Sequence, residues 1–146
     1  FEIWPNRYLL SGAPDPRAHR EWIEFVGKRL SPGRTIVCLP LPPGHLVQDF
    51  TPTTRWMYLQ TFHGMPLLNG YSGFFPESDV RLRMSENSRL PLLAEVGVQY
   101  VVVFEGGDPA EMLRLSATEE KSLRLALNVP DVATVYELQV DDTLRP

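Results

Sequence analysis

Ser88-Arg89-Leu90-Pro91-Leu92-Leu93-Ala94-Glu95-Val96-Gly97-Val98-Gln99-Tyr100-Val101-Val102-Val103-Phe104 is the stretch that decides the fold. Ser88 is a helix-capping residue, and Pro91 is tolerated in a first turn, where its missing N–H costs nothing. Leu92, Leu93 and Val96 supply the inward face of a short helix, and Gly97 provides the left-handed stop. Val98 to Phe104 then reads as a strand. Its apolar character is continuous rather than alternating, which predicts a central strand covered on both faces.

Working toward the N-terminus, Asp15-Pro16 pairs a capping carboxylate with a proline suited to the first helical position. Trp22, Ile23, Val26 and Leu30 recur at helical spacing, Lys28 and Arg29 occupy the cationic end, and Pro32-Gly33 stops the helix. Thr35 to Leu41 is a β-branched run that reads as a buried strand, ended by Pro40, Pro42 and Pro43. A long irregular stretch to about Thr54 follows. Arg55 to Phe62 is compatible with helix or strand, Pro66 to Asn69 reads as a short strand, and Pro76 to Met84 as a helix.

Toward the C-terminus, Glu105-Gly106-Gly107 forms a turn and Asp108-Pro109 repeats the cap-plus-proline signal. Ser116 with Glu119 resembles a capping box, predicting a helix toward Leu127. Asn128 to Asp131 turns the chain into a final strand, Ala133 to Val140, a candidate for an antiparallel edge. Helices alternating with short strands predict an α/β layered domain with a mostly parallel sheet of about four strands and flanking helices. Residues 11–140 are expected to form that single domain, after an aromatic lead-in over residues 1–10 and before a frayed tail at 141–146.

The 146 residues suffice for one core, and 43% apolar with 22% charged residues is ordinary for a globular protein. A net charge of −4 without a basic cluster argues against a nucleic-acid partner, whose phosphates need a cationic face. Cys38 is the only cysteine, so no internal disulfide forms; within an apolar strand it reads as core. No apolar run approaches the roughly 20 residues of a membrane span. The opening at Phe1, with no Met or signal-like segment, reads as a piece of a longer protein.

In a parallel sheet, ligands favour the loops at the carboxyl ends of strands. Here those loops offer His45, Asp49, Asn69, Tyr71, Ser72, Glu105 and Asp108 as candidates for a small polar ligand. Strand-end loops are polar in any soluble domain, so solvation is the competing explanation. Gly70-Tyr71-Ser72-Gly73 falls one residue short of the Gly-x-Ser-x-Gly elbow of serine hydrolases, and bulky Phe74-Phe75 follows it. A hydrolase is therefore the weakest alternative. His63 is a candidate base or ligand, but no partner stands at a metal-ligand spacing from it. His19 on the first helix is expected to be solvated. The two acidic residues around Gly106-Gly107 repel phosphate, and no Gly-x-Gly-x-x-Gly is present. Neither a metal nor an organic cofactor is indicated.

Tyr58 to Pro76 (YLQTFHGMPLLNGYSGFFP) is unusually rich in aromatics and glycines between short apolar runs. It resembles the soluble C-terminal domain of bacterial membrane glycosyltransferases similar to the dolichyl-phosphate-mannose protein mannosyltransferase superfamily. Leu39-Pro40-Leu41-Pro42 before it, Leu92 to Val103 after it and Thr134-Val135-Tyr136-Glu137-Leu138 at the end agree in order. The likeness spans roughly Arg34 to Leu138. The chain departs from it at Val103-Phe104-Glu105, where many relatives carry a His after the valine run.

This resemblance implies an accessory domain, inactive alone, on the outer face of the cytoplasmic membrane. Its partners would be the N-terminal membrane domain of the same protein and a lipid-linked sugar or acceptor. The family's catalytic acid lies in a loop between membrane helices that this chain does not contain, so no catalytic residue carries over. Phe1, Ile3, Trp4 and Tyr8 suit a membrane interface. Phe62 to Phe75, with Tyr71, Phe74 and Phe75, becomes a candidate docking segment; the alternative is that these rings fill the domain's own core. A free-standing small-ligand-binding module is the other reading.

Overall fold

The first two strands, β1 (Thr35–Leu39) and β2 (Val98–Val103), carry almost no polar side chain, and that decides how everything else is arranged. In the computed structural model, which describes residues 13–42, 49, 51–69, 77–104 and 106–139, they pair in parallel from Thr35↔Val98 to Leu39↔Val103. Successive side chains on a strand point to opposite faces. Ile36, Cys38, Tyr100, Val102 and Phe104 therefore join one apolar cluster, and Val37, Leu39, Val101 and Val103 join another. Both faces need covering, as the unbroken apolar run predicts.

Helices supply that cover. On the first face lie α1 (Arg20–Gly27), which buries Trp22 and Val26, and α2 (Thr51–His63), which buries Trp56 and Leu59. On the second face lie α3 (Glu77–Met84), α4 (Leu90–Glu95) and α5 (Pro109–Leu113), contributing Leu82, Leu90, Leu93 and Leu113. Arg81 of α3 and Glu95 of α4 form a two-pronged ion pair at 3.0 and 3.2 Å. Gly97 ends the α4 turn at φ +74°, a left-handed conformation that suits glycine.

The sheet is completed by β3 (Leu123–Val129) and β4 (Ala133–Leu138), in the order β1-β2-β4-β3. The α/β layering, the four strands and the antiparallel last strand are as expected. The parallel part is confined to β1 and β2, while β4 runs antiparallel between β2 and β3, so β3 rather than β4 is the edge. The reason is the segment expected to be a helix after Ser116. The capping box does form: Glu119 accepts from the Ser116 amide (2.9 Å) and hydroxyl (2.8 Å). It opens only one 3₁₀ turn, Glu119–Ser122. Beyond it the chain pairs as β3 with β4 through the turn at Asp131 (φ +59°), and a register shift between Leu125 and Leu127 sends Leu123 to the second cluster, Leu127 and Val129 to the first, and leaves Leu125 exposed.

Other boundaries shift less. Asp15 accepts from the Arg17 amide (3.0 Å), but residues 16–19 are turns and α1 begins at Arg20. The ambiguous Arg55 to Phe62 lies inside α2. Pro66 to Asn69, expected as a strand, makes a single parallel bridge, Leu67 to Ile36.

Arg89 holds the second face together. Its guanidinium is buried and donates to the carbonyls of Met112 in α5 and Arg83 in α3 (3.2 Å for the latter), near the carboxyl ends of both helices. Those carbonyls have no intrahelical partner and carry negative partial charge, so a cation suits them. Replacing Arg89 by alanine should lower unfolding stability in urea by about 2–3 kcal/mol, and Arg89→Lys, which lacks the fork, should recover only part of it.

Candidate functional site

The carboxyl ends of β1 and β2 meet where the Phe104 amide donates to the Leu39 carbonyl (3.2 Å). Phe104 stacks on Trp56 of α2 with ring centroids 3.8 Å apart and 14° between planes, and it meets Trp22 edge-on at 5.8 Å. His19, just before α1, lies 5.6 Å from Phe104. The β3–β4 turn reaches the same end because Val103 pairs with Thr134. Together these elements border a cleft of about 320 Å³ whose lining includes Pro14, His19, Arg55, Trp56, Phe104 and Asp131. Trp56 and Phe104 are themselves buried, so they form its packed wall rather than an open stacking platform.

None of the candidate residues from the strand-end loops lines this cleft among the described residues. Asn69 is buried, and its amide pairs with the Cys38 backbone in both directions: the Cys38 N–H donates to Oδ1 (2.9 Å), and Nδ2 donates to the Cys38 carbonyl. The Ile36 N–H donates to Pro66 O (3.0 Å) and Leu68 N–H to Ile36 O (2.9 Å), so the side chain of Asn69 continues this short ladder by one residue. Asp108 caps α5, accepting from the Ala110 amide (2.9 Å). Asp49 stands two residues before α2, half-buried. His45, Tyr71, Ser72, Phe74, Phe75 and Glu105 lie outside the described residues, as do the lead-in and the tail.

His63, the last residue of α2, accepts at Nδ1 from the Met65 amide (3.0 Å), and burial pushes its pKa down to about 4. It is neutral at pH 7, with one nitrogen occupied by the backbone. His19 is not solvated as expected: it is half-buried, and its Nδ1 accepts from the Trp22 indole (3.0 Å). Burial lowers its pKa, partly offset by the Asp15 carboxylate. Cys38 is buried, which raises its thiol pKa and leaves it inert. Among the described residues no group of three or more His, Cys, Asp or Glu side chains is placed to hold a metal ion. No helix there is long and apolar enough to cross a membrane.

Protein-family models, curated proteins and solved structures include no match to this chain. Function has to be read from the surface itself, and one surface is distinctive. Between α1 and α2 runs an open groove of about 450 Å³ bordered by Pro16, Arg17, Arg20, Ile23, Glu24 and Phe62. Phe62 is 56% exposed and Tyr58, edge-on to it at 5.2 Å, is 37% exposed. Phe62 therefore does not fill the core, although Trp56 and Leu59 of the same helix do.

The cleft residues His19, Arg55, Trp56, Phe104 and Asp131 were not legible as a group. They come from four segments far apart in sequence, and only the position of Phe104 at a strand end hinted at it. Asn69→Leu should cost at least about 2 kcal/mol in urea unfolding by leaving two buried backbone groups unpaired, and Asp108→Ala only about 1 kcal/mol by removing a cap.

Proposed function

We propose that this chain is a non-catalytic accessory domain of a membrane glycosyltransferase that uses a lipid-linked sugar donor, standing on the outer face of the cytoplasmic membrane. It docks on the membrane-embedded part of the same protein through the α1–α2 groove. The observation that carries the reading is the exposure of Phe62 beside Tyr58, within the segment whose sequence resembles the family's soluble domain. Large rings in solvent lose the stabilisation that burial would give, about 1.5–3 kcal/mol for a phenylalanine, so a partner surface is their natural destination.

The chemistry of the polar groups agrees with a non-catalytic role. Among the described candidates, His63, Asn69 and Asp108 each serve the backbone of their own neighbourhood. None forms a nucleophile–base pair. The cleft beside Phe104 favours a second reading, a small-ligand-binding module, because His19, Arg55 and Asp131 bring polar groups of both signs to one aromatic-walled hollow. Stabilisation of the chain by a small polar molecule, lost in Asp131→Ala, would establish that reading instead.

A photo-cross-linking residue placed at Phe62 in the full-length gene product, in its own membrane, should capture a membrane-spanning segment of the same protein. Phe62→Glu should abolish that association while changing the stability of the domain by less than about 0.5 kcal/mol. A full-length product without membrane spans, or capture that is unchanged by moving the probe to the opposite face, would overturn the proposal.

A further inference from the structure

Trp22 is fully buried in α1, and two histidines hold it. Its indole N–H donates to His19 Nδ1 at 3.0 Å, and its ring meets His63 edge-on with centroids 5.7 Å apart. His63 in turn receives the Met65 amide at Nδ1, 3.0 Å away, where the chain leaves α2. Both imidazoles thus act as acceptors through Nδ1, which only the neutral ring with its proton on Nε2 can do. A protonated imidazole is a donor at both nitrogens. Each added proton would then set a donor against a donor: the indole N–H in one case, a backbone amide in the other.

We propose that His19 and His63 form an acid-released latch on Trp22: the neutral rings seat it between the turn before α1 and the end of α2, where Trp22 and His63 touch, and protonation loosens that seat. Those two helices also border the groove at Phe62, so the latch would set whether that groove keeps its shape. This consequence for docking rests on the function proposed above; the latch does not.

Facing His19 are Asp15 from the turn before α1, whose carboxylate favours the charged ring, and Arg55 of α2 with Asp131 of the β3–β4 turn across the shared cleft. Trp22 and Phe104 complete its surroundings without charge. Facing His63 from α1 is the uncharged Trp22, and burial alone lowers its affinity for a proton. Both histidines therefore bind protons more weakly in the folded chain than in the unfolded one. Their contribution to stability is complete above the unfolded pKa of 6.5 and is lost as pH falls from there, toward about 4 for His63.

The test follows the imidazole Cε1–H resonances and the amide exchange of α1 in the 146-residue chain between pH 7.5 and 4. Both rings should titrate below 6.5, and protection of α1 amides, corrected for intrinsic exchange, should drop about tenfold or more across the range while β2 stays protected. His19→Gln combined with His63→Asn offers oxygen acceptors that do not titrate, and should hold α1 protection constant. Titration of either histidine at or above 6.5 would overturn the latch, as would acid loosening of α1 that persists in the double variant. If the double variant fails to fold, the titration of the unaltered chain still decides. None of these readouts depends on a membrane partner, so a failed cross-link at Phe62 leaves this test intact.

Discussion

Everything in this domain follows from a parallel pair of strands with no polar face. β1 and β2 send alternate side chains into two separate apolar clusters, and each cluster has to be closed by helices from a different part of the chain. The connection from β1 to β2 meets that requirement by contributing α2 to one face and α3 with α4 to the other. The hairpin of β3 and β4 is then added along the open side of β2, sending Val129, Ala133 and Val135 into one cluster and Leu138 into the other.

A layout of this kind has many element ends and few long elements. Helices of five to eight residues leave a large share of their amides and carbonyls without internal partners. The polar side chains are spent on those ends: Asp108 at the start of α5, Arg89 at the ends of α3 and α5, and His63 at the end of α2. Gln99 does similar service between α1 and β2, accepting from the Ser31 amide (2.8 Å) and donating to the Arg29 carbonyl (3.2 Å). Residues that would read as catalytic by type are therefore occupied in holding short pieces together.

This explains which parts were legible in the sequence. The stretch from Ser88 to Phe104 was readable because apolar spacing, glycine and β-branched run agree locally; the start differs by one residue, since Arg89 holds the N-cap position without a side-chain cap bond while Ser88 Oγ accepts from the Leu90 amide (3.2 Å). Ser116 to Val129 was misleading because a genuine local signal, the capping box, is followed by a segment whose partner strand comes later in the chain. Asn69 could be picked out only as a strand-end loop residue of ligand-binding type; that it is buried and its amide replaces a strand residue depends on the register of Pro66 to Leu68 against Ile36. His19 reads as solvated from sequence since nothing in its neighbourhood announces that Trp22, three residues on, turns its N–H back toward it. Phe62 is exposed, while Tyr71, Phe74 and Phe75, which share its two alternatives, lie outside the described residues.

The irregular edge of the sheet has a consequence for how the protein behaves in concentrated solution. β3 pairs only with β4 among the described residues, and Leu125 on it is 58% exposed. A straight, apolar outer strand of seven residues would be a template for stacking copies edge to edge. The register shift between Leu125 and Leu127 interrupts the even spacing of outward amides and carbonyls that an incoming strand must match. Arg124, tied to Glu137 across the hairpin, places an ion pair beside the same leucine. A defect in the ladder thus works as a safeguard against self-assembly, and straightening it would trade local order for precipitation.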